Sequence, residues 1–546
     1  MSTSAAERRR RAVPAGVPVA VTAIVLLHAA LLACYALLYP PYVAFDEPQH
    51  VDMVVAIAED GEYPAPAERE LALGVAQSSD TVYGGKQLRG PYTAENAVPR
   101  DERRSLTEYG GTEPAPTPPR YPNQMTQHPP AYYGLVAVVA ELVPGEQDWA
   151  FDRAVVLFRL ASALLLAPLP LLLWLGARRL LGDGPPAVSA AALPLLVPGM
   201  TRTGGSVNND VLVMIVSAAL LVLLARVLTG DLSRRTAAGV GAVCAVALLT
   251  KGTAMPVLVA VPLAYAVGWR RTGARLPCQQ LAVVGAVASL GGWWWVRNLV
   301  TYGALQPSGY GPEAEAAIEA TAPPPPWTVD RWWPHFERLE GRFWSALGMI
   351  DIPSALPEWT VRALTVAAVV AIVFALVAGS DLAGGRWTAL VLLTPFVLLF
   401  VALVETTLSA YLDNGLPAGI QGRYLYGGAV ILAPVVAAGA ATALGRLRRF
   451  QAIGVVAAGV GVQALAVGAV LRGFYLPGDR SVDRLNNLRE AADNLAAWSP
   501  FPPGVTALPF VLAAVLALAA LAAAALSARS EPARAEPAAP QAVHAA

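Results

Sequence analysis

Long apolar stretches recur along this chain, near 15–39, 154–177, 186–203, 210–228, 236–250, 253–269, 276–297, 361–379, 387–405, 424–444, 451–471 and 505–527. A bilayer core about 30 Å thick takes on the order of 20 helical residues. The pattern therefore predicts an all-α polytopic membrane protein of about twelve transmembrane helices, within a range of 10 to 14. The run Pro129–Val143 is shorter. Counting it as a full span would invert every later loop, so it is read as re-entrant or interfacial. After the first span, Val51, Val54, Val55 and Ala58 fall at helical spacing and predict a short helix lying on the membrane.

Charge then orients the bundle. Arg178 and Arg179, Arg234 and Arg235, Arg270 and Arg271, and Arg446, Arg448 and Arg449 all fall on one side when the spans alternate. The positive-inside rule makes that side, and with it both termini, cytoplasmic. The long polar segments then lie outside the cell membrane. The expected organisation is a basic segment 1–14, a catalytic membrane region 15–445 with outer loops 40–130 and 298–360, C-terminal helices 446–528 with an outer loop 472–504, and a disordered cytoplasmic tail 529–546.

Composition agrees with lipid as the main surroundings: 55% of the 546 residues are hydrophobic and 14% charged. The formal net charge is zero, which argues against nucleic acid as a partner. Cys34, Cys244 and Cys278 lack metal-ligand spacing.

Polar residues at the outward ends of the predicted spans carry the candidate chemistry. Asp46, Glu47 and His50 open the helix after the first span, where they can bind a metal or move a proton. The bland alternative is a capping box of Asp46 with Gln49, with Pro48 in the first turn. Asn208, Asn209 and Asp210 form a tight turn between the third and fourth spans, Lys251 follows the fifth, and Arg297 ends the seventh beside Trp293–Trp295. Arg423 and Tyr424 open the tenth, and His128 borders the re-entrant run. Singly, Asn208 with Asp210 can be a helix cap and Arg297 an interfacial anchor. Together they place cations in outer turns that are normally poor in them, and such cations need an anionic partner, a lipid phosphate first of all. Arg159 reads equally as a snorkelling residue or a phosphate ligand, and His28 as a packing residue.

The segments FDEPQH, QHPPAYYGL, NND, LLTKGTAMP, WWWVRNLVTYG and QGRYLYG resemble, in order and spacing over residues 15 to 445, the GT-C superfamily of membrane glycosyltransferases. The likeness is to bacterial relatives of protein mannosyltransferases and aminoarabinose transferases. It implies a GT-C-like fold and transfer of a sugar from a polyprenyl-phosphate donor to an envelope glycan, lipid or protein on the outer face of the plasma membrane. It also implies Asp46 as general base with Glu47 assisting, and Lys251, Arg297, Arg423 and Tyr424 at the donor phosphate. His50, His128, Asn208, Asn209 and Asp210 would be supporting polar groups. Asp46, Glu47 and Asp210 would be the set able to hold a divalent cation such as Mg or Mn. Competing classes are a transporter or flippase of a lipid-linked precursor, and a polysaccharide polymerase or ligase. The former would place its polar site near the bilayer midplane between repeated halves, and no repeat is visible.

Overall fold

The computed structural model describes residues 17–83, 90–115, 123–273, 276–310, 326, 328–349, 354–378, 381–414, 419–478 and 485–530. The expected basic segment 1–14 and nearly all of the expected tail lie outside these residues. Among the described residues the chain forms twenty α-helices and no β-strand beyond two isolated bridges.

In chain order these begin with α1 (Val19–Leu38), α2 (Glu47–Asp60), α3 (Leu73–Tyr83) and α4 (Ala131–Glu141). Next come α5 (Phe151–Leu166), α6 (Leu169–Leu181), α7 (Pro185–Ala192), α8 (Pro198–Gly204), α9 (Asp210–Leu228) and α10 (Arg234–Leu248). The middle of the chain forms α11 (Met255–Leu258), α12 (Ala260–Thr272), α13 (Cys278–Tyr302), α14 (Val329–Trp344), α15 (Glu358–Val377) and α16 (Gly385–Asn414). The last are α17 (Tyr426–Leu444), α18 (Gln451–Tyr475), α19 (Leu485–Trp498) and α20 (Pro503–Ser530).

Each of the twelve apolar runs is helical, and eight stretches meet the length and apolarity of a membrane span on their own. One of these, Gly422–Tyr475, contains two helices, α17 and α18, divided by a 3-10 turn at Gly445–Phe450. Proline explains where the regular pattern breaks, because it removes a backbone donor and clashes with the preceding turn. Pro168 separates α5 from α6 inside one 31-residue apolar stretch, and Pro194 and Pro198 divide the third run into α7, a 3-10 turn and α8. Helix α4 has 11 residues, about 16 Å at 1.5 Å per residue, too short to cross. That agrees with its reading as re-entrant or interfacial.

The basic turns gather at one end of the bundle. Arg271 Nη1 donates to Leu228 O at 2.8 Å, Arg234 Nη2 to Gln279 Oε1 at 2.9 Å, and Ala383 N to Leu180 O at 2.8 Å. Helix α9, about 28 Å long for its 19 residues, carries Asp210 at the opposite end. The outer-loop chain collects at that second end.

Two knots of buried polar contacts hold the first loop there. Asp52, fully buried, accepts from Arg69 Nε and Nη2 at 2.8 and 2.9 Å, from Ala72 N at 2.9 Å and from Asn123 Nδ2 at 2.7 Å, so no lone pair is left bare. The second knot ties the loop to the C-terminal helices. Arg103 donates to Ala497 O at 2.6 Å and Ser499 O at 3.1 Å, and Arg100 to Ser499 O at 3.0 Å, so two guanidiniums cover the carbonyl end of α19. Asn494 joins Ala94 N to Tyr475 O, and Tyr475 in turn bonds Leu38 O at the end of α1.

Candidate active site

The segment between α1 and α2 sets the site. Arg159, from α5, lies buried beneath it and donates to the carbonyls of Ala36, Tyr39 and Pro40 at 2.9, 2.7 and 2.8 Å. These include unpaired acceptors at the C-terminal end of α1, where a cation is favoured. The remaining donors of Arg159 clasp Glu47 at 2.8 and 2.6 Å, and Val207 N adds a third bond to the same carboxylate at 3.1 Å. Glu47 is 0% exposed. A charge buried in that way persists only because the clasp is complete, and breaking such a pair costs about 3–5 kcal/mol.

Asp46, one residue earlier, adopts φ 59 and ψ 19 and makes no capping hydrogen bond with its side chain. The expected capping box is therefore not formed. The left-handed conformation costs a non-glycine residue roughly 1–2 kcal/mol. It is held by the bonds on either side, Arg159 to Pro40 O before it and Glu47 to Arg159 after it, and it turns the Asp46 carboxylate away from its own helix.

That carboxylate meets Arg423 and, through it, two further groups from distant turns. Arg423 Nη2 donates to Asp46 Oδ2 at 2.6 Å, Arg423 Nε lies 3.2 Å from Asp210 Oδ2, and Lys251 Nζ donates to Asp210 Oδ1 at 2.7 Å. Asp46 thus joins Arg423, Asp210 and Lys251 in one continuous ion network. Arg423, Asp210 and Lys251 are buried, whereas the Asp46 side chain is 36% exposed. Tyr424 lies under both cations, with Lys251 Nζ 4.8 Å and Arg423 5.4 Å from its ring centre.

A polar wall stands behind the network. His50 Nδ1 pairs with Tyr133 Oη at 2.9 Å, Asn209 Nδ2 reaches the same hydroxyl at 3.4 Å, and Asn208 Oδ1 accepts from Asp210 N at 2.9 Å. His128 offers its backbone carbonyl to Tyr63 Oη at 2.6 Å, and its buried Nδ1 has no partner. Burial first, then the nearby Lys251 and Arg423, push both imidazoles below their ordinary basicity, so both are neutral at pH 7.

Two further cations adjoin the network that sequence reasoning passed over. A cleft of about 330 Å³, including its open mouth, is lined by Phe45, Arg202, Asn208, Arg342, Gln421 and Arg423, among others. Arg202, from α8, is held by carbonyls of Ala346, Gly348 (2.8 Å) and Val43 (3.3 Å), and lies 4.8 Å over the Phe45 ring. Among the described residues its Nε is buried without a partner, as are Nε and Nη1 of Arg423 by hydrogen-bond geometry. Arg342, from α14, donates to Ile420 O at 2.5 Å, and its basicity is lowered by burial and by the neighbouring Arg338 and Arg423 cations. Arg202 ends an apolar run and Arg342 sits in an amphipathic outer helix, so neither stood out by pattern. The signal for Arg202 was an arginine at a span end, and for Arg342 the amphipathic pattern of its helix.

Two expected assignments are not assembled. Arg297 lies apart from these ion pairs, bonded to Asn298 Oδ1 at 3.2 Å and Tyr302 Oη at 3.3 Å and stacked 5.1 Å from Trp294. Those are the contacts of an interfacial anchor. The expected metal set also fails to gather: Glu47 is committed to Arg159, and a guanidinium already stands between Asp46 and Asp210. Among the described residues no group of three His, Cys, Asp or Glu side chains is arranged to hold a metal ion. The residues do not fit a divalent cation.

Two cations, Arg423 and Lys251, thus pair with two carboxylates, Asp46 and Asp210, and Arg202 and Arg342 line the adjoining cleft together with Arg423, at one end of the helical bundle. Fold and site together define a multi-span membrane protein with a cluster of paired cations and carboxylates at one end of its helical bundle. The chain belongs to the family described as a predicted membrane protein (DUF2142), which matches residues 30–432. No curated protein matches it. Among solved structures it is similar to ArnT from Cupriavidus metallidurans bound to undecaprenyl phosphate, at 14% identity over 92% of this chain and 76% of that one, with a TM-score of 0.43. The apo state of the same protein matches at 15% identity over 91% and 76%, also with a TM-score of 0.43.

Proposed function

We propose that this protein transfers a sugar from a polyprenyl-phosphate-linked donor to an acceptor of the cell envelope, on the outer face of the membrane. The observation that carries the reading is the single ion network linking Asp46, Arg423, Asp210 and Lys251, residues from four separate turns. It agrees with the motif resemblance to membrane glycosyltransferases. The orientation follows from the gathering of basic turns at the opposite end, which the positive-inside rule makes cytoplasmic.

In this reading the Asp46 carboxylate takes the proton of an acceptor hydroxyl as its oxygen bonds the anomeric carbon. The bond from that carbon to the phosphate oxygen breaks, and its electron pair leaves on the lipid phosphate. Negative charge grows there as the bond breaks, and Arg423, Arg202, Arg342 and Lys251 are placed to stabilise it. Arg159 and Glu47 position the Asp46 backbone and do not touch the reacting atoms. Nucleotide sugars are cytoplasmic, so a lipid-linked donor arriving through the bilayer suits a site on the other face.

The test supplies purified protein in nanodiscs with radiolabelled polyprenyl-phosphate sugars, or with the matching nucleotide sugars, and extracted envelope acceptors. Transfer from at least one lipid-linked sugar and from no nucleotide sugar is expected. Transfer from nucleotide sugars alone, or from neither class, would overturn the proposal.

A further inference from the structure

Arg423 is shared between the candidate base and the cleft in which a phosphate would sit. Its Nη2 is bonded to Asp46, its Nε borders Asp210, and its buried Nη1 has no partner among the described residues, beside a cleft lined by Arg202 and Arg342. A guanidinium binds a phosphate most strongly through two parallel bonds, which use two of its nitrogens at once. Nη1 offers one such bond. The second must come from Nη2, the nitrogen next to it in the fork and now on Asp46, because the N–H of Nε points to the far side, toward Asp210. Asp210 keeps Lys251 at 2.7 Å whatever Arg423 does, whereas Asp46 has no other side-chain hydrogen bond among the described residues and is 36% exposed. Asp46 is the partner that yields at least cost.

Resting on the lipid-phosphate reading above, we propose that Asp46 is an internal competitor of the donor phosphate for Arg423, so that seating the phosphate is what frees Asp46 to act as a base. The donor then binds before the acceptor is activated, and the base is available only when the leaving group is already held. After transfer, once Asp46 has released the acceptor's proton to solvent, its return to Arg423 helps to expel the more highly charged lipid phosphate. The same contact thus orders substrate entry and promotes product departure.

The competition has a counterintuitive signature, because removing the base should improve binding. Polyprenyl phosphate is titrated against the full-length protein in nanodiscs for the parent, Asp46→Asn, Arg423→Gln and the double variant, with inorganic phosphate as a parallel arm and Asp46→Ser as a second removal of the carboxylate. Asp46→Asn and Asp46→Ser are expected to tighten polyprenyl phosphate by about threefold to tenfold, the range between an exposed and a charge-assisted contact. In the Arg423→Gln background that gain should vanish, and inorganic phosphate should follow the same order more weakly.

Unchanged or weaker binding in both Asp46 variants would overturn the competition, as would an equal gain with Arg423 removed, which would mark a general field effect. A gain seen with inorganic phosphate but not with the lipid would also overturn it and point to free phosphate as the ligand. No measurable binding of polyprenyl phosphate by the parent would instead remove the lipid-phosphate reading on which the inference rests.

Discussion

At the scale of single residues, the site separates an open charge from one that is held. Asp46 and Glu47 are neighbours in sequence, yet one opens toward solvent and the other is locked under Arg159. Sequence treated them as a pair because nothing in FDEPQH shows that the partner of Glu47 lies more than a hundred residues away. Asp210, Lys251 and Arg423 were legible, since a charge at the end of an apolar run demands an explanation wherever it falls. Arg297 satisfied the same rule for a different reason, so position alone could not tell a phosphate ligand from an anchor.

His128 gives a prediction at this scale. Burial, followed by Lys251 and Arg423, lowers its basicity below 6.5, so folding expels a proton from it. The unfolded chain then binds more protons between the folded value and 6.5, and stability is full above 6.5 and lost as the pH falls through the folded value. Thermal unfolding in detergent should show a smaller loss between pH 7.5 and 5 for His128→Gln than for the parent. Equal losses would show that this imidazole contributes nothing to acid sensitivity.

At the scale of elements, helices came through and their interruptions did not. Every apolar run is a helix because lipid offers backbone groups no other partner. The breaks at Pro168 and Pro194, and the site-bearing turns beyond them, depend on contacts between runs. Helices α14 and α19 lay inside segments expected to be loops, and both matter: α14 brings Arg342 to the cleft, and α19 anchors the first outer loop through Arg100 and Arg103. Helix α14 is strongly amphipathic in VDRWWPHFERLEGRFW, a signal that a search for spans discards.

Contact between α14 and the Arg423 turn is direct, because a β-carbon on Gly422 would collide with the backbone of Arg342 and Phe343. Gly422→Ala must therefore push the turn and helix apart, separating Arg342 and Arg423 on opposite walls of the cleft. Transfer activity is expected to fall at least tenfold, while Gly454→Ala, where a β-carbon meets nothing, leaves it unchanged. Equal activity in the two variants would show that this close approach does not shape the site.

At the scale of the whole molecule, the bundle is a device for bringing the ends of distant spans together. The C-terminal helices α18 to α20 lie beyond the family match to residues 30–432, yet Tyr475 and Asn494 fasten them to α1 and to the first outer loop. The basic turns gather at one end of the bundle and the ion network at the other.

The most direct test follows release of polyprenyl phosphate from the lipid-linked sugar in sealed vesicles under single-turnover conditions, with the protein inserted in known orientation and acceptor on one side only. The account predicts release when the acceptor is on the Asp46 side, and a rate lower by roughly 10²-fold or more in Asp46→Asn, the scale of a lost general base. Release at the parent rate in Asp46→Asn, or with acceptor confined to the side of the basic turns, would contradict it.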